Sequence, residues 1–393
     1  MGSNSGGQES CALLGDGDWA LPSGPMTRRM GQQRYTRFYN YLAAALALAS
    51  FPLASFAQEN ECGGGEPEAT VTGEGNSYTA TSLSKEVYSG SDYLAAITAA
   101  LDSISEGQRV SVIASGSIGT GRIHVDSGKI FEGCGTIDIG NNKRGSIESL
   151  NTVGASIPFL TLTGSPYFGM RFYGTHGLSL GRITMRLSGG MGIRFDRDEA
   201  PNTDVQMDVI DVKGAGSHAV ETWNIDGLTI NEVLAEDVGE CGLLLQATTN
   251  AKVGLVKGTN VATGNGYATF RMANRNGRSG DDYSTNIFID EVIATGGGRG
   301  IFCVSESGGA EIRKIDISNT GGDSILIENC HNVNILGGVV TGGGNVRLAK
   351  RNEFENNSDI SLNIEVNDTP VLEKPCGENS RLEISGNADV KIC

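Results

Sequence analysis

A repeat of 23 residues in the second half of the chain constrains the fold more than any other feature. Units that begin at residues 205, 228, 287 and 310 align without gaps. The twelfth position of each unit is glycine, and the same column holds a glycine in neighbouring units: Gly189, Gly216, Gly239, Gly264, Gly298, Gly321 and Gly344. The third position is always apolar: Met207, Ile230, Val253, Ile289, Ile312 and Ile335. Apolar and polar residues alternate within a unit, which predicts short β-strands separated by turns.

A unit of two or three short strands cannot bury its own apolar face, so it must stack on its neighbours. The repeat therefore predicts an all-β fold, a single-stranded right-handed parallel β-helix of about 23-residue coils over residues 85–393. Residues 91–104 have helical spacing, with Ser91 as the expected N-cap, and are predicted to cap the N-terminal end of the stack. Residues 58–84 are expected to form a linker.

Composition narrows the function classes. Glycine is abundant, at 57 of 393 residues, but no Gly-X-Y period appears, which excludes collagen. The net charge of −16 disfavours a nucleic-acid partner or an anionic membrane, because an acidic chain gains nothing from displacing counterions at phosphates. We expect the protein to be a monomer that binds neither nucleic acid nor a membrane.

The first 57 residues have the pattern of an export signal. Basic residues follow Met26, an apolar stretch runs from Tyr41 to Phe56, and Ser55 and Ala57 occupy the two small-residue positions read by a signal peptidase. Cleavage is expected after Ala57, and Met26 is the alternative start of the chain. This pattern predicts that residues 1–57 are a leader and that the mature protein is extracellular.

Cysteine usage agrees with an oxidising compartment. Seven cysteines follow the leader, so at least one thiol stays unpaired. Cys376 with Cys393 and Cys62 with Cys134 are the expected disulfides, and Cys241, in a regular apolar strand, is the expected free thiol. No Cys-x-x-Cys pair is present, which argues against zinc.

The export signal, the N-terminal helix and the stacked coils resemble the pectate-lyase-like superfamily of right-handed parallel β-helix proteins. The resemblance covers roughly residues 85–393 and is architectural. It implies a place among polysaccharide lyases, glycoside hydrolases, esterases or non-enzymatic surface proteins, and the fold alone does not decide between them.

Strand alternation predicts which side chains share the outer surface. One outward column is expected to contain Arg171, Arg194, Glu221, Leu244, Thr269, Cys303 and Leu326, and a second Tyr173, Asp196, Trp223, Gln246, Arg271, Ser305 and Glu328. Phe302 and Val304 are expected to face the core. Because adjacent coils are ~4.8 Å apart, six of the outward side chains should form one patch: Arg171, Tyr173, Arg194, Asp196, Glu221 and Trp223. The inserted loop 275–286 is expected to border it.

This patch has the residue types that an acidic polysaccharide requires. Aromatic faces stack on sugar rings, arginine forks bind uronate carboxylates, and two carboxylates can divide acid and base work. A polysaccharide lyase acting on a uronate-containing, pectin-like polymer is the first interpretation, with Asp196, Glu221, Arg194 and Arg271 as catalytic residues. Substrate-binding roles are assigned to Arg171, Tyr173, Trp223, Gln246 and His218.

Two other functions stay open. The first is an inverting glycoside hydrolase, since Asp196 and Glu221 should lie about 7–8 Å apart, within the roughly 6.5–9.5 Å typical of inverting pairs. The second is a non-catalytic carbohydrate-binding or surface protein. The charged side chains of the patch are alternatively a solvated salt-bridge ladder, and His218 is alternatively a structural histidine.

The remaining candidate sites are in loops. Asp281 and Asp282 are a candidate Ca²⁺ site, and Ca²⁺ is the one cofactor that the sequence suggests. Alternatively, the two carboxylates only keep an exposed loop solvated. Asn356 and Asn367 begin Asn-x-Ser/Thr sequons and are candidate glycosylation sites.

Overall fold

The computed structural model describes residues 61–264 and 266–393. It is a parallel β-solenoid of about 12 turns, with 58% strand and 3% helix, which confirms the all-β fold and the turn length of about 23 residues. The predicted leader, 1–57, lies outside the described residues. Within the described residues, no helix combines the length and apolar character needed to cross a bilayer.

One helix and 27 strands make up the described chain. In chain order they are β1 (Ala69–Glu74), β2 (Ser77–Ser82), β3 (Lys85–Gly90), α1 (Tyr93–Asp102), β4 (Arg109–Val112), β5 (Gly116–Gly119), β6 (Ile123–His124), β7 (Ile130–Ile139), β8 (Gly145–Leu150), β9 (Ser156–Gly164), β10 (Phe168–Tyr173), β11 (Ser179–Leu187), β12 (Met191–Phe195), β13 (Asn202–Lys213), β14 (Val220–Trp223), β15 (Ile225–Glu236), β16 (Leu243–Gln246), β17 (Thr249–Thr259), β18 (Phe270–Ala273), β19 (Ile287–Thr295), β20 (Ile301–Ser318), β21 (Ile325–Ile335), β22 (Gly338–Thr341), β23 (Val346–Ala349), β24 (Ser358–Asn367), β25 (Val371–Glu373), β26 (Arg381–Gly386) and β27 (Val390–Lys391).

The strands stack in two parallel ladders. Even-numbered strands from β6 to β18 pair in sequence, and β20, β21, β23, β25 and β27 continue this short-strand ladder. Odd-numbered strands from β7 to β19 pair in the same way to form the long-strand ladder, which β20, β24 and β26 continue. β20 and β21 are long enough to belong to both.

The N-terminal segment departs from the sequence prediction. Residues 69–82, expected as part of a linker, form β1 and β2, and β1 pairs in parallel with β4 of the solenoid. The alternation of Thr, Val, Ala and Tyr in these strands suits a half-buried sheet, and Gly75 at φ +63° makes the turn between them.

Helix α1 lies within the predicted range and begins two residues later than its start. Its N-cap is Asp92, not Ser91, because the Asp92 Oδ1 accepts the Ala95 N–H at 2.9 Å. Its buried side chains join the core and rest on β1 to β6, the first strands of the solenoid: Tyr93, Ala96, Ile97, Ala100 and Leu101. The helix therefore covers apolar surface at the N-terminal end.

The third position of the repeat forms the predicted ladder inside the solenoid. Ile230 pairs with Val253, Val253 with Ile289, and Ile289 with Ile312. All four side chains are buried in one continuous core. Residues at the same position of the repeat become neighbours because successive coils are one strand spacing apart and place that position at the same angle around the solenoid axis.

The glycine column is confirmed in its first part and shifts in its second. A Cβ atom on Gly239 would lie 2.2 Å from the carbonyl oxygen of Gly216, so this corner excludes side chains. Gly298 stacks on Ala262 rather than on Gly264, and Gly322, rather than Gly321, lies over Gly298. The connection between β17 and β18 is longer than that between β15 and β16, so Gly264 and Gly298 do not occupy the same place in their coils.

Buried asparagines hold a second corner together. The Oδ1 atoms of Asn202, Asn276 and Asn357, all fully buried, accept backbone N–H groups of the preceding coil. Asn357 also donates to the Ala349 and Ile327 carbonyls, at 2.9 and 3.2 Å.

Replacing Asn357 with alanine is expected to lower the free energy of unfolding by about 1–3 kcal/mol, because three buried backbone groups lose their partner. Denaturant unfolding measures the change, and Asn352→Ala, at an exposed position, is the control expected within about 0.5 kcal/mol of wild type. Equal unfolding midpoints for the two variants would show that the corner does not depend on this side chain.

Three disulfides stabilise the solenoid. Cys62–Cys134 and Cys376–Cys393 confirm the two predicted pairs, and Cys241 is free and buried as predicted. The third joins Cys303 to Cys330 on adjacent coils. The sequence prediction placed Cys303 on the outer surface, whereas the shifted register turns it into the core.

Candidate functional site

Twelve side chains form one column on the outer face of the short-strand ladder, which we call the outer column. Successive members pair in register: His124, Glu148, Arg171, Arg194, Glu221, Leu244, Arg271, Phe302, Leu326, Arg347, Leu372 and Lys391. The predicted column is right from Arg171 to Leu244 and again at Leu326, and it is wrong at the two coils between them. Arg271 and Phe302 take the places expected for Thr269 and Cys303. The β17–β18 connection is longer than the β15–β16 connection and the β19–β20 connection is shorter, by amounts that the repeat does not reveal.

The predicted charged patch exists and is an ion-pair network. The Arg171 Nε donates to the Asp196 Oδ2 at 2.6 Å, and the Arg194 Nε donates to the Asp196 Oδ1 at 3.2 Å. Arg194 also donates through Nη1 to the Glu221 Oε2. Both carboxylates are therefore bound by arginine, and Arg194 bridges them.

Glu221 has further partners on its other oxygen. The Trp223 Nε1 donates to the Glu221 Oε1 at 2.8 Å, and the Gln246 Nε2 donates to the same oxygen at 2.7 Å. Burial raises the pKa of the Glu221 carboxyl, but the charge of Arg194 and the hydrogen bonds from Trp223 and Arg194 lower it, and the net shift is downward. Glu221 is thus an ionised, fully hydrogen-bonded carboxylate.

The network continues towards the N-terminus through Glu148. This fully buried carboxylate accepts from the backbone N–H of Gly145 at 3.0 Å and from Arg122 and Arg171 at 3.3 and 3.5 Å. At the other end, Asn274 donates to the Gln246 Oε1 at 2.6 Å. One chain of polar contacts therefore runs along several coils.

The burial of these groups corrects the prediction of an open catalytic patch. Only 5% of Glu221, 9% of Asp196 and 3% of Gln246 is exposed to solvent. The arrangement agrees with the alternative of a salt-bridge ladder, except that the ladder is buried rather than solvated. Carboxylates held by several cations and donors stay ionised and are poor general acids.

The other predicted residues lie around this network in different settings. Tyr173 is half-buried, and the Arg171 guanidinium lies 5.2 Å from the centroid of its ring. The Arg197 guanidinium lies 5.6 Å from the centroid of the Trp223 ring. His218 is 5% exposed; its Nδ1 accepts the Cys241 N–H and its Nε2 lies 3.0 Å from a Glu240 oxygen. Both nitrogens of His218 are engaged, which fits the structural alternative.

A second arrangement, which the sequence analysis missed, lies further along the outer column. The Arg271 guanidinium is 5.0 Å from the Phe302 ring centroid and 5.8 Å from that of Tyr267, and the Arg299 guanidinium is also 5.0 Å from Phe302. Phe302 is only 2% exposed although it faces outward, and it belongs to a separate apolar cluster with Leu244 and Leu326. We call Arg271, Arg299, Tyr267 and Phe302 the arginine platform.

The arginine platform carries uncompensated positive charge. Within the described residues, no carboxylate lies within ion-pair distance of Arg271, and its buried Nε has no hydrogen-bond partner. Arg299 and Arg347 share Asp323, at 3.8 and 2.8 Å. Burial lowers the pKa of Arg299, Asp323 raises it, and the charges of Arg347 and Arg271 lower it further, for a net downward shift. Arg299 and Arg347 therefore share one ion-pair partner, and Arg271 has none within the described residues.

The inserted loop 275–286 does not border the predicted patch. Its Tyr283 hydroxyl donates to the Glu306 carbonyl, and Asn332 donates to the Tyr283 carbonyl at 2.7 Å, so the loop turns towards later coils. There it lines a cleft of about 710 Å³, which we call the acidic cleft because five carboxylates line it: Asp281, Asp282, Glu306, Glu355 and Asp359.

The candidate Ca²⁺ ligands are occupied by protein groups. Asp281 accepts from Arg278 at 2.9 Å, and Asp282 accepts from the Tyr283 N–H and the Ser284 hydroxyl. Across residues 61–264 and 266–393, the one group of three metal-ligand side chains that converge is Cys62, Glu132 and Cys134, whose sulfurs are in a disulfide. The Ca²⁺ site therefore has no supporting geometry in the described chain.

Both predicted glycosylation sites use their amide nitrogen in the fold. The Asn356 Nδ2 donates to the Cys376 carbonyl at 2.6 Å, and the Asn367 Nδ2 donates to Glu365 at 2.8 Å. Glycosylation at these positions stays a prediction.

Comparison with known proteins gives no information on the function of this site. No family model, no curated protein and no solved structure matches the chain. The structure itself therefore describes the chain: it is a parallel β-solenoid whose outer column carries a buried ion-pair network and an arginine platform.

Proposed function

We propose that this protein is secreted and binds a uronate-containing polysaccharide at the arginine platform, where it acts as a polysaccharide lyase. The observation that carries the proposal is Arg271, a half-buried guanidinium on an acidic protein without a carboxylate partner among the described residues. A cation in this setting is stabilised when an anionic ligand supplies the missing charge.

The platform suits a sugar acid better than a simple anion. Guanidinium groups bind a carboxylate through two parallel hydrogen bonds, and Arg271 and Arg299 approach the same Phe302 ring from the outer face. Tyr267 adds an aromatic ring beside them for contact with a pyranose. The outer column continues on both sides of the platform, and the polymer is proposed to lie along it, parallel to the solenoid axis.

Elimination fits the charge pattern better than hydrolysis. Binding the uronate carboxylate to arginine withdraws negative charge and makes the neighbouring C5 proton easier for a base to remove. The C4–O bond to the leaving sugar breaks as the C4–C5 double bond forms. An inverting hydrolase needs one protonated carboxylic acid, whereas Asp196 and Glu221 are both bound by arginine and the pKa of Glu221 is lowered.

The disulfides support the proposal that the protein is secreted. Three disulfides within residues 61–393 suit an oxidising, extracellular environment, in which the predicted leader would deliver the protein.

The test is to incubate the protein with polygalacturonate, alginate and a neutral glucan while recording binding, the ultraviolet absorbance of unsaturated uronate products, and reducing ends. A lyase produces the absorbance with a uronate polymer and not with the glucan. Binding without either product would assign the protein to the non-catalytic carbohydrate-binding class, and reducing ends without absorbance would assign hydrolysis. Failure to bind any uronate polymer would overturn the proposal.

A further inference from the structure

The acidic cleft contains a hydroxyl and an imidazole in hydrogen-bond contact. The Ser358 Oγ lies 2.9 Å from the His331 Nδ1, and both residues line the cleft. The two meet because β21 and β24 pair in register at this position. The imidazole is held in place by the Tyr283 ring of the inserted loop, whose centroid is 5.0 Å away at an interplanar angle of 35°.

The protonation state of this pair suits proton abstraction from the serine. Burial lowers the pKa of His331, and the charges of Glu355, Glu306 and Asp359 raise it by less, so the net shift is downward. The imidazole is then neutral near pH 7, with Nδ1 free to accept the Ser358 proton and Nε2 carrying its own hydrogen.

We propose that Ser358 and His331 are the nucleophile and the general base of an ester-hydrolysing site in the acidic cleft. The Ser358 Oγ forms a bond to the ester carbonyl carbon while its proton passes to the His331 Nδ1. The tetrahedral intermediate collapses by breaking the bond to the alcohol oxygen, and the alcohol leaves with the proton from His331. Water, deprotonated by His331, then attacks the acyl-serine, releasing the acid and restoring the Ser358 hydroxyl.

The charges around the cleft define the class of ester. Glu306, Glu355 and Asp359 lie near enough to His331 to favour its protonated form, which develops as Ser358 attacks the ester. Arg278 also lines the cleft; its Nη2 pairs with Asp281, but its buried Nε has no hydrogen-bond partner and can donate to a developing oxyanion. Five carboxylates repel an anionic substrate, so the site takes neutral or cationic acyl esters.

The chain contains its own control for this geometry. The His176 Nδ1 lies 2.8 Å from the Thr203 Oγ1, a matching histidine–hydroxyl contact between adjacent coils. That contact is exposed, and neither residue lines the acidic cleft. If the contact alone made a reactive hydroxyl, Thr203 would react as well.

The experiment treats the intact protein with a fluorophosphonate probe and locates the modified residue by peptide mass spectrometry. We expect modification at Ser358 and not at Thr203. We also expect hydrolysis of p-nitrophenyl acetate that falls at least about 10²-fold in Ser358→Ala and His331→Gln. An unmodified Ser358, or undiminished hydrolysis in Ser358→Ala, would overturn the proposal.

Three controls keep the outcome interpretable. Thr203→Ala should retain full hydrolysis. Asn356→Gln removes the same sequon as Ser358→Ala but keeps the serine, and it should also retain hydrolysis. Thermal unfolding of each variant separates loss of activity from loss of fold. Faster hydrolysis of an anionic ester than of p-nitrophenyl acetate would contradict the assigned substrate class.

This site is independent of the proposed lyase site. Arg271→Ala should leave ester hydrolysis unchanged, and Ser358→Ala should leave uronate binding unchanged. Either function can therefore fail in experiment without the other.

Discussion

Replacing Glu221 with alanine is expected to lower the free energy of unfolding by about 3–5 kcal/mol, the scale for removing one partner of a buried ion pair. The carboxylate is 5% exposed and accepts hydrogen bonds from Arg194, Trp223 and Gln246. Its loss leaves the Arg194 charge without one of its two anions, and it leaves the Trp223 and Gln246 donors without this acceptor. Urea unfolding at pH 7 measures the change.

The same carboxylate makes a contribution that depends on pH. The pKa of Glu221 is lowered in the folded protein, whereas the unfolded chain has the ordinary value of about 4.3. The folded state therefore binds its proton less readily, and the stability that Glu221 contributes is present above about pH 4.3 and is lost as the pH falls through the lower folded value. The gap in unfolding free energy between wild type and Glu221→Gln should shrink over that acidic range.

An exposed glutamate provides the control for both measurements. Glu353 lies on the surface, and Glu353→Ala should change the unfolding free energy by no more than about 0.5 kcal/mol. If Glu221→Ala is as stable as Glu353→Ala, the buried network does not stabilise the solenoid, and Glu221 would again be available for a catalytic role.

Replacing Arg271 with alanine is expected to weaken binding of a uronate polymer by about 10–100-fold, because one charge-assisted hydrogen-bonded contact is lost. If the protein cleaves the polymer, its turnover should fall by on the order of 10²-fold as well, since the guanidinium stabilises the charge that develops on the uronate. The unfolding free energy should not fall in the same way, because Arg271 has no ion-pair partner in the described chain.

Two further variants test how Arg271 acts. Arg271→Lys keeps the charge but loses the planar fork, so it should restore only part of the affinity. Arg313→Ala removes a guanidinium that is mostly exposed and pairs with Asp290, and it should leave binding unchanged. Equal losses in Arg271→Ala and Arg313→Ala would indicate a general charge effect and contradict a specific site on the platform.

The repeat allowed much of the fold to be predicted. Ile230, Ile289 and Ile312 stack in the core as expected, and two disulfides and the free Cys241 were identified from position alone. The stacking follows from the 23-residue period, because residues that share a position in the repeat occupy the same angle of the solenoid. The pairing of Arg171, Arg194 and Glu221 was predictable for the same reason.

Where an insertion interrupts the period, only the tertiary structure decided which side chains meet. Leu244 and its ladder partner Arg271 are separated by more than one 23-residue repeat. An offset of one residue in a strand is enough to turn an outward side chain inward. Phe302 and Cys303 exchanged faces in this way, which created the arginine platform and an interior disulfide. Burial of Glu221 and the contact of His331 with Ser358 likewise depend on the packing of several coils, which no spacing along one strand can reveal.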